Sequence, residues 1–297
     1  MNLLGQKITT TCKRCISSAR MPDCNHEEAD TRIVVHVQHA LEHGNKHIQI
    51  RTADSDVIAI LVGAYFDLVL AQPGAEIWVA FGTGKHFRFY SINAISTSIG
   101  ESIARALPVF HAWSGCDTTS AFRGKGKKSA WNAWKACQEV TEAFNFLAAN
   151  PFHHLESDSE HFKKIERLTV VLYEKSSPLG LVNEAREDLF CRKSRSPDNI
   201  PPTQNALLQH TKRAIYQAGI WTTSSTCQAE LPSPSHFAWS KTPPANTWEP
   251  VWMTVPEISK ACSQLLKCTC KRICTKCKCV KAGLSCSPLC NCKCNNE

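Results

Sequence analysis

A regular hydrophobic period first appears at Glu27. The segment EEADTRIVVHVQHALEH sets Ile33, Val34, Val37, Ala40 and Leu41 on one face of a helix, and Gly44-Asn45 predicts its stop. In KHIQIRT the spacing changes to two: Ile48 and Ile50 alternate with polar neighbours, which predicts a short strand. VIAILVGAYF is apolar on all sides and predicts a buried helix. EIWVAF and KHFRFY read as two strands joined tightly through Gly82-Thr83-Gly84, and residues 91–107 read as one helix. Beyond Asp117 the period is helical throughout: SAWNAWKACQEVTEAFNFLA, SEHFKKIERLTVVLYE and VNEAREDLF, then a helix over Gln204–Ala218 after Pro201-Pro202.

Strands alternating with helices place the first half in the α/β class, with a mostly parallel sheet expected. Five stretches follow. Residues 1–25 are a short polar segment, 26–137 an α/β core, and 138–226 a helical extension. Residues 227–259 form a connector rich in Pro, Ser and Trp, and 260–297 a Cys-rich tail. Three tryptophans in the connector (Trp239, Trp248, Trp252) are more than a plain linker carries, so it is expected to pack along the body.

The chain has 297 residues, 43% hydrophobic and 20% charged, which is a globular composition. Its longest apolar run, Val57–Ala71, is interrupted by Asp67 and falls short of the roughly 18 residues a membrane span needs. No apolar signal segment opens the chain, so an intracellular protein with reduced thiols and no membrane partner is expected. Charge and cysteine are both lopsided. From Lys260 onward there are eight Lys or Arg against Glu297 alone, while the rest of the chain has 26 against 25. Ten of the 17 cysteines lie between Cys262 and Cys294. A short basic tail on a near-neutral body points to a polyanion.

Nine of those thiols stand in tight register: Cys268, Cys270, Cys274, Cys277, Cys279, Cys286, Cys290, Cys292 and Cys294. If six bind terminally and three bridge, nine thiolates complete the tetrahedra of about three zinc ions. So few apolar residues accompany them (Ile273, Val280, Leu284, Leu289) that metal must supply the folding energy. The alternatives are disulfides or metallothionein-like storage. Paired C-x-C units flanking Lys281–Leu284 resemble the tesmin-like CXC domain. That resemblance implies a three-zinc fold that binds DNA or serves chromatin proteins, hence a nuclear protein. Lys271, Arg272, Lys276, Lys278 and Lys281 are the residues expected to meet phosphates. Cys12-x2-Cys15 with Cys24 and His26 has a spacing that would suit one further zinc.

The body carries three acidic clusters: Glu28 and Asp30, then Asp54 and Asp56, then Asp117. Each stands where an apolar element meets a helix start. Taken singly, each reads as a helix cap or as first-turn charge. Together they suit paired magnesium or manganese ions, which want hard carboxylate oxygens from separate segments. A basic, glycine-spaced stretch follows: Arg123, Gly124, Lys125, Gly126, Lys127 and Lys128. It reads either as a solvated loop or as a phosphate grip.

The order E-A-D, T-x-D-S-D, G-C-D, G-x-G-x-K-x-A resembles the flap-endonuclease-like branch of the PIN nucleases. The resemblance runs from about His26 to Cys137. It implies a PIN-like partial parallel sheet with flanking helices. It also implies divalent-metal roles for Glu28, Asp30, Asp54, Asp56 and Asp117, and a phosphate grip at residues 123–128. Only 27 residues precede Glu28, fewer than that family's first strand and helix occupy, so a shortened chain or an incomplete acid set is expected. The function implied is a metal-dependent nuclease acting on DNA, with RNA as second choice. The alternative is a catalytically silent zinc-dependent DNA- or chromatin-binding protein derived from one.

Overall fold

The computed structural model describes residues 23–192, 197–244 and 246–254, together with Cys270, Cys290 and Cys292. The protein is of mixed α/β type and divides into two compact units. The first falls within Met1–Pro108 and Ile220–Leu231, the second within Val109–Gly219 and Pro232–Glu297.

The first unit begins with α1, Ala29–Glu42. Its stripe of Ile33, Val34, Val37 and Leu41 is buried as the period predicts, with Val35 added. The helix ends where Gly44 takes φ +80°. That conformation lets the Gly44 N–H reach the Leu41 carbonyl (2.9 Å) and the Asn45 N–H the Ala40 carbonyl (3.1 Å), pairing two carbonyls that would otherwise be orphaned. Strand β1, His47–Thr52, follows, then α2, Ser55–Ala71, and β2, Glu76–Phe81. β1 and β2 pair in parallel, in register from His47 opposite Glu76 to Thr52 opposite Phe81. Strand β3, Arg88–Ser91, pairs antiparallel with β2. The sheet is therefore mixed rather than mostly parallel, because the Gly82–Gly84 connection is far too short for a crossover.

The core of this unit is aliphatic. Val34, Leu41, Val57, Leu61, Val62, Ile77, Val79 and Ile92 are all sealed from solvent. One polar side chain organises its lower edge. Asn93 accepts from the Ile77 N–H (2.8 Å) and donates to the Ala75 carbonyl (2.6 Å), pairing backbone groups at the start of β2 that the ladder leaves unmet. The helix expected over residues 91–107 is two helices, α3, Ile92–Ile99, and α4, Glu101–Trp113. Gly100, at φ +83°, returns its N–H to the Ser96 carbonyl and ends the first. At the other end of the sequence, Asn25 bonds the Cys227 and Ala229 carbonyls, tying residues 23–26 to 226–229.

In the second unit the helices are α5, Lys127–Ala136, α6, Val140–Ala149, α7, Glu160–Tyr173, α8, Val182–Glu187, and α9, Gln204–Thr222. The run SAWNAWKACQEVTEAFNFLA is broken between α5 and α6. The break turns Trp134 edge-on to Phe144, with ring centroids 5.5 Å apart. Aromatic residues dominate this core: Trp113, Phe144, Phe162 and Phe237 are fully buried. The connector packs on this unit. Strands β4, Trp239–Thr242, and β5, Thr247–Pro250, form a hairpin. The Arg213 guanidinium donates to the Val251 carbonyl (2.6 Å) and lies over the Trp252 ring. Trp248 and Trp252 stay exposed all the same, and it is Phe237 that enters the core.

α2 and α4 approach closely at Gly63 of α2, where a β-carbon would stand 2.4 Å from Cγ of Pro108. Gly63→Ala is expected to lower stability by about 1–3 kcal/mol through overpacking, measured as a lower urea midpoint with unchanged slope.

Candidate functional site

Two acidic pairs of the first unit sit at helix starts. Asp54 caps α2: its N–H donates to Thr52 Oγ1 (3.0 Å), and its own Oδ1 accepts from the Asp56 N–H (2.9 Å). The Thr52 carbonyl takes the Gly82 N–H (2.9 Å), so the exits of β1 and β2 are pinned together just below that cap. Glu28 occupies the N-cap position of α1, but its carboxylate makes no capping bond. Its carbonyl accepts from Thr31 Oγ1 (3.1 Å). Asp30 and Asp56 lie in the first turns of α1 and α2. All four acids are half-buried.

The chain direction brings these pairs to one end. α1 reaches β1 through His43–Lys46, and β1 reaches α2 through Ala53-Asp54. Both helices therefore run back against the strand, and their first turns lie at its carboxyl end, where α/β sheets gather ligands. The donors are hard oxygens, the type magnesium or manganese takes. Among the described residues, however, no group of three or more His, Cys, Asp or Glu side chains assembles to hold an ion. The two acidic pairs stand at the starts of α1 and α2 and, among the described residues, do not form a closed ligand set.

Asp117 belongs to the second unit and is exposed. Its neighbours are tied down. Thr119 Oγ1 donates to the Ala112 carbonyl (2.6 Å), Thr118 Oγ1 donates to Gln217 (2.9 Å), and the Cys116 N–H donates to Thr119 Oγ1 (3.1 Å). Cys116 is only partly buried, with its sulfur 3.3 and 3.2 Å from the two threonine hydroxyls.

The basic stretch is already partnered within the protein. Arg123 forms an exposed ion pair with Asp198 (2.7 Å), and the Lys125 ammonium lies over the Tyr173 ring. Gly124 takes φ +68°, and Gly126 stands at the N-cap position just ahead of α5. The Lys127 ammonium turns inward, donating to the His111 carbonyl (2.6 Å) and Ser114 Oγ (3.1 Å) in the last turn of α4 and just past it. A lysine there satisfies orphan carbonyl oxygen and the negative end of the helix dipole. Lys128 is exposed.

Ser120 and His210, ninety residues apart, are brought together with no local sequence signal to announce it. His210 Nδ1 is 2.9 Å from Ser120 Oγ, and Nε2 is 2.7 Å from the Trp113 carbonyl. The carbonyl can only accept, so Nε2 carries the proton and Nδ1 accepts from the serine. Burial pushes the His210 pKa down to about 4, against a smaller opposing effect of the Trp113 carbonyl. Another missed group is the exposed set Trp78, Phe87 and Phe89. The alternation in EIWVAF, which puts Trp78 on the same side as Glu76, was the available signal.

In the tail, Cys270, Cys290 and Cys292 are partly exposed. Cys268, Cys274, Cys277, Cys279, Cys286, Cys294, Lys271, Arg272, Lys276, Lys278 and Lys281 lie outside the described residues, as do Cys12 and Cys15. His26 Nε2 is engaged by the Thr226 carbonyl (2.8 Å). Among the described residues no helix is long and apolar enough to cross a membrane. No protein-family model, curated protein or solved structure matches the chain.

Two predictions follow from these contacts. The unfolded chain protonates a histidine of ordinary pKa before the folded one does. Stability is therefore full above about pH 6.5 and falls as the pH drops toward about 4, by as much as about 3 kcal/mol from His210 alone. Urea titrations across that range measure it. Lys127→Met is expected to cost about 1 kcal/mol by removing a charged donor from the end of α4, with Ser114 Oγ still meeting the His111 carbonyl (3.2 Å), whereas Lys128→Ala stays within about 0.5 kcal/mol. The same titrations distinguish the two lysines.

Proposed function

We propose that this chain is a metal-dependent, nuclease-like protein acting on DNA or structured nucleic acid, with a PIN-like core and a zinc-cluster tail of CXC type that holds DNA. The observation that carries the reading is the arrival of Glu28 with Asp30, and of Asp54 with Asp56, at the carboxyl end of β1. Their carboxylates are hard oxygen donors of the kind magnesium and manganese take. A bound magnesium or manganese ion would activate water and stabilise the leaving oxygen of a phosphodiester.

The chain's own residues have narrower roles in this reading. Asp54 fixes the first turn of α2, so that Asp56 is presented on rigid backbone. Lys128 and the N–H groups of α5 offer positive charge to phosphate, while Lys127 braces the segment that carries them. In the tail about three zinc ions fold the nine-cysteine register, and Lys271, Arg272, Lys276, Lys278 and Lys281 meet the DNA backbone. DNA or chromatin as partner places the protein in the nucleus.

A second reading is a catalytically silent, zinc-dependent DNA- or chromatin-binding protein. Two observations favour it: Asp54 already uses one oxygen on the Asp56 N–H, and the described acids do not close a three-ligand set.

Cleavage of labelled flap, nicked and single-stranded DNA in manganese separates the two. Zinc-loaded protein, holding about three zinc ions per chain, is expected to cut. The Asp54→Ala/Asp56→Ala variant is expected to lose at least about a hundredfold in rate, with its zinc content and DNA affinity retained. Equal absence of cleavage in both proteins, with DNA still bound, establishes the second reading in its place.

A further inference from the structure

The sheet of the first unit has one face in the core and one in solvent. Ile48, Ile50 and Thr52 of β1 and Ile77 and Val79 of β2 point inward. By the register, the other face carries His47, Gln49 and Arg51 from β1, Glu76, Trp78 and Ala80 from β2, and Phe89 and Ser91 from β3. Large aromatic side chains stand in the open there: Trp78 is 38% exposed and Phe89 54%. Phe87, just ahead of β3, is 37% exposed and meets Phe89 edge to face at 5.0 Å. The Arg51 guanidinium lies 4.6 Å from the centre of the Phe87 ring.

Three features of this face identify its ligand. First, the rings are spaced for stacking. Ala80 stands directly opposite Phe89, so Trp78 and Phe89 are diagonal neighbours, about 7–8 Å apart. The residue between them is the small Ala80, itself buried at 1% exposure, so the two rings and not the strand between them offer the open surface. Second, the charge is one-sided. Arg51 is exposed on the face, and Lys46 and Lys85 are exposed beside it, whereas Arg88 alternates to the other side of the sheet. The acid on it, Glu76, lies 3.3 Å from His47. A polyanion suits that balance, and an acid-rich or purely aliphatic surface does not. Third, the face contains no aliphatic side chain larger than Ala80, so it lacks the leucine and isoleucine of a buried protein interface. π-faces, a guanidinium and an amide on an open sheet are the groups that take unpaired bases.

We propose that this open sheet face binds single-stranded nucleic acid, with successive bases stacking on Trp78 and Phe89, and with Arg51 and the neighbouring lysines meeting the phosphates. Base stacking is indifferent to sequence, so the face accepts DNA and RNA alike, with strong dependence on salt. Arg51 stands three residues before Asp54, so a strand lying on the face leads to the acidic edge. The proposal shares with the proposed function the premise that nucleic acid is the ligand, but it needs no metal and no catalysis.

The test is binding of short fluorescein-labelled oligothymidylate and oligouridylate to the zinc-loaded full chain, without added magnesium or manganese. Failure here is then distinguishable from failure to cleave. Trp78→Ala and Phe89→Ala are each expected to weaken binding about tenfold, with the melting temperature unchanged at these exposed sites. Trp78→Phe and Phe89→Tyr, which keep a ring, are expected to bind close to wild type. If an alanine variant melts early, Trp78→Leu and Phe89→Leu, apolar but without a π-face, are expected to show the same tenfold loss. Oligonucleotides bearing 5-iodouracil are expected to crosslink to the peptides containing Trp78 or Phe89. Unchanged affinity in the alanine and leucine variants, with crosslinks confined to the tail, overturns the proposal. So does self-association of the wild type that the variants lose while keeping oligonucleotide affinity, which would make the face a contact between two copies of this chain.

Discussion

Parallel pairing between His47–Thr52 and Glu76–Phe81 obliges the chain to travel back across the sheet between them. The crossing helix, Ser55–Ala71, is the element on which the first unit depends. It packs between α1 and α3, which is why its sequence is apolar almost all round, and Gly63 lets Pro108 of α4 approach. The same crossing fixes where the helix begins. Because β1 ends at Thr52 and two residues later the helix must start, Asp54 is placed to cap it. The Thr52 hydroxyl and carbonyl take the Asp54 and Gly82 N–H groups and hold that corner rigid. One topological constraint thus determines both the core of the unit and the position of its acids.

The second unit rests on different physics. Its core is built from aromatic rings, and several polar groups in or beside it are hydrogen-bonded within the unit. Glu166, fully buried, accepts from Gln204 and from the Val182 N–H. Burial raises its pKa, and those hydrogen bonds pull the other way. His210 is neutral between a serine and a carbonyl. Lys127 spends its charge on the end of α4. Such networks specify a single packing because any one missing member leaves another unsatisfied in a low-dielectric interior.

These two designs bear on how charge is used. In the first unit acids collect at helix starts, where the dipole favours them whether or not a cation is present. In the second, basic residues that resemble a phosphate grip are engaged by Asp198, Tyr173 and the end of α4. Nucleic acid would therefore compete with intramolecular partners at Arg123 and Lys125, while on the open sheet face Arg51 rests on an aromatic ring it can share with a base.

Local order was legible in the sequence. The 3.6 and 2.0 periods located α1, β1, α2 and β2 within a few residues, the glycine at 44 marked a true stop, and the Gly82–Gly84 connection marked a hairpin. These features depend on interactions between residues near in sequence, which composition and spacing encode directly. The break at Gly100 was not legible, since a glycine within an apolar period reads equally well as helix or cap until packing decides. Nor was the fate of Lys127 or the meeting of Ser120 with His210, because each depends on a partner that only the folded chain brings near. The acidic clusters fell between these cases. Their residue types and their positions at helix starts belong to the sequence. That Glu28, Asp30, Asp54 and Asp56 reach one edge, and that Trp78 and Phe89 share an open face beside it, was decided by the parallel register of two strands, a long-range pairing that no local pattern contains.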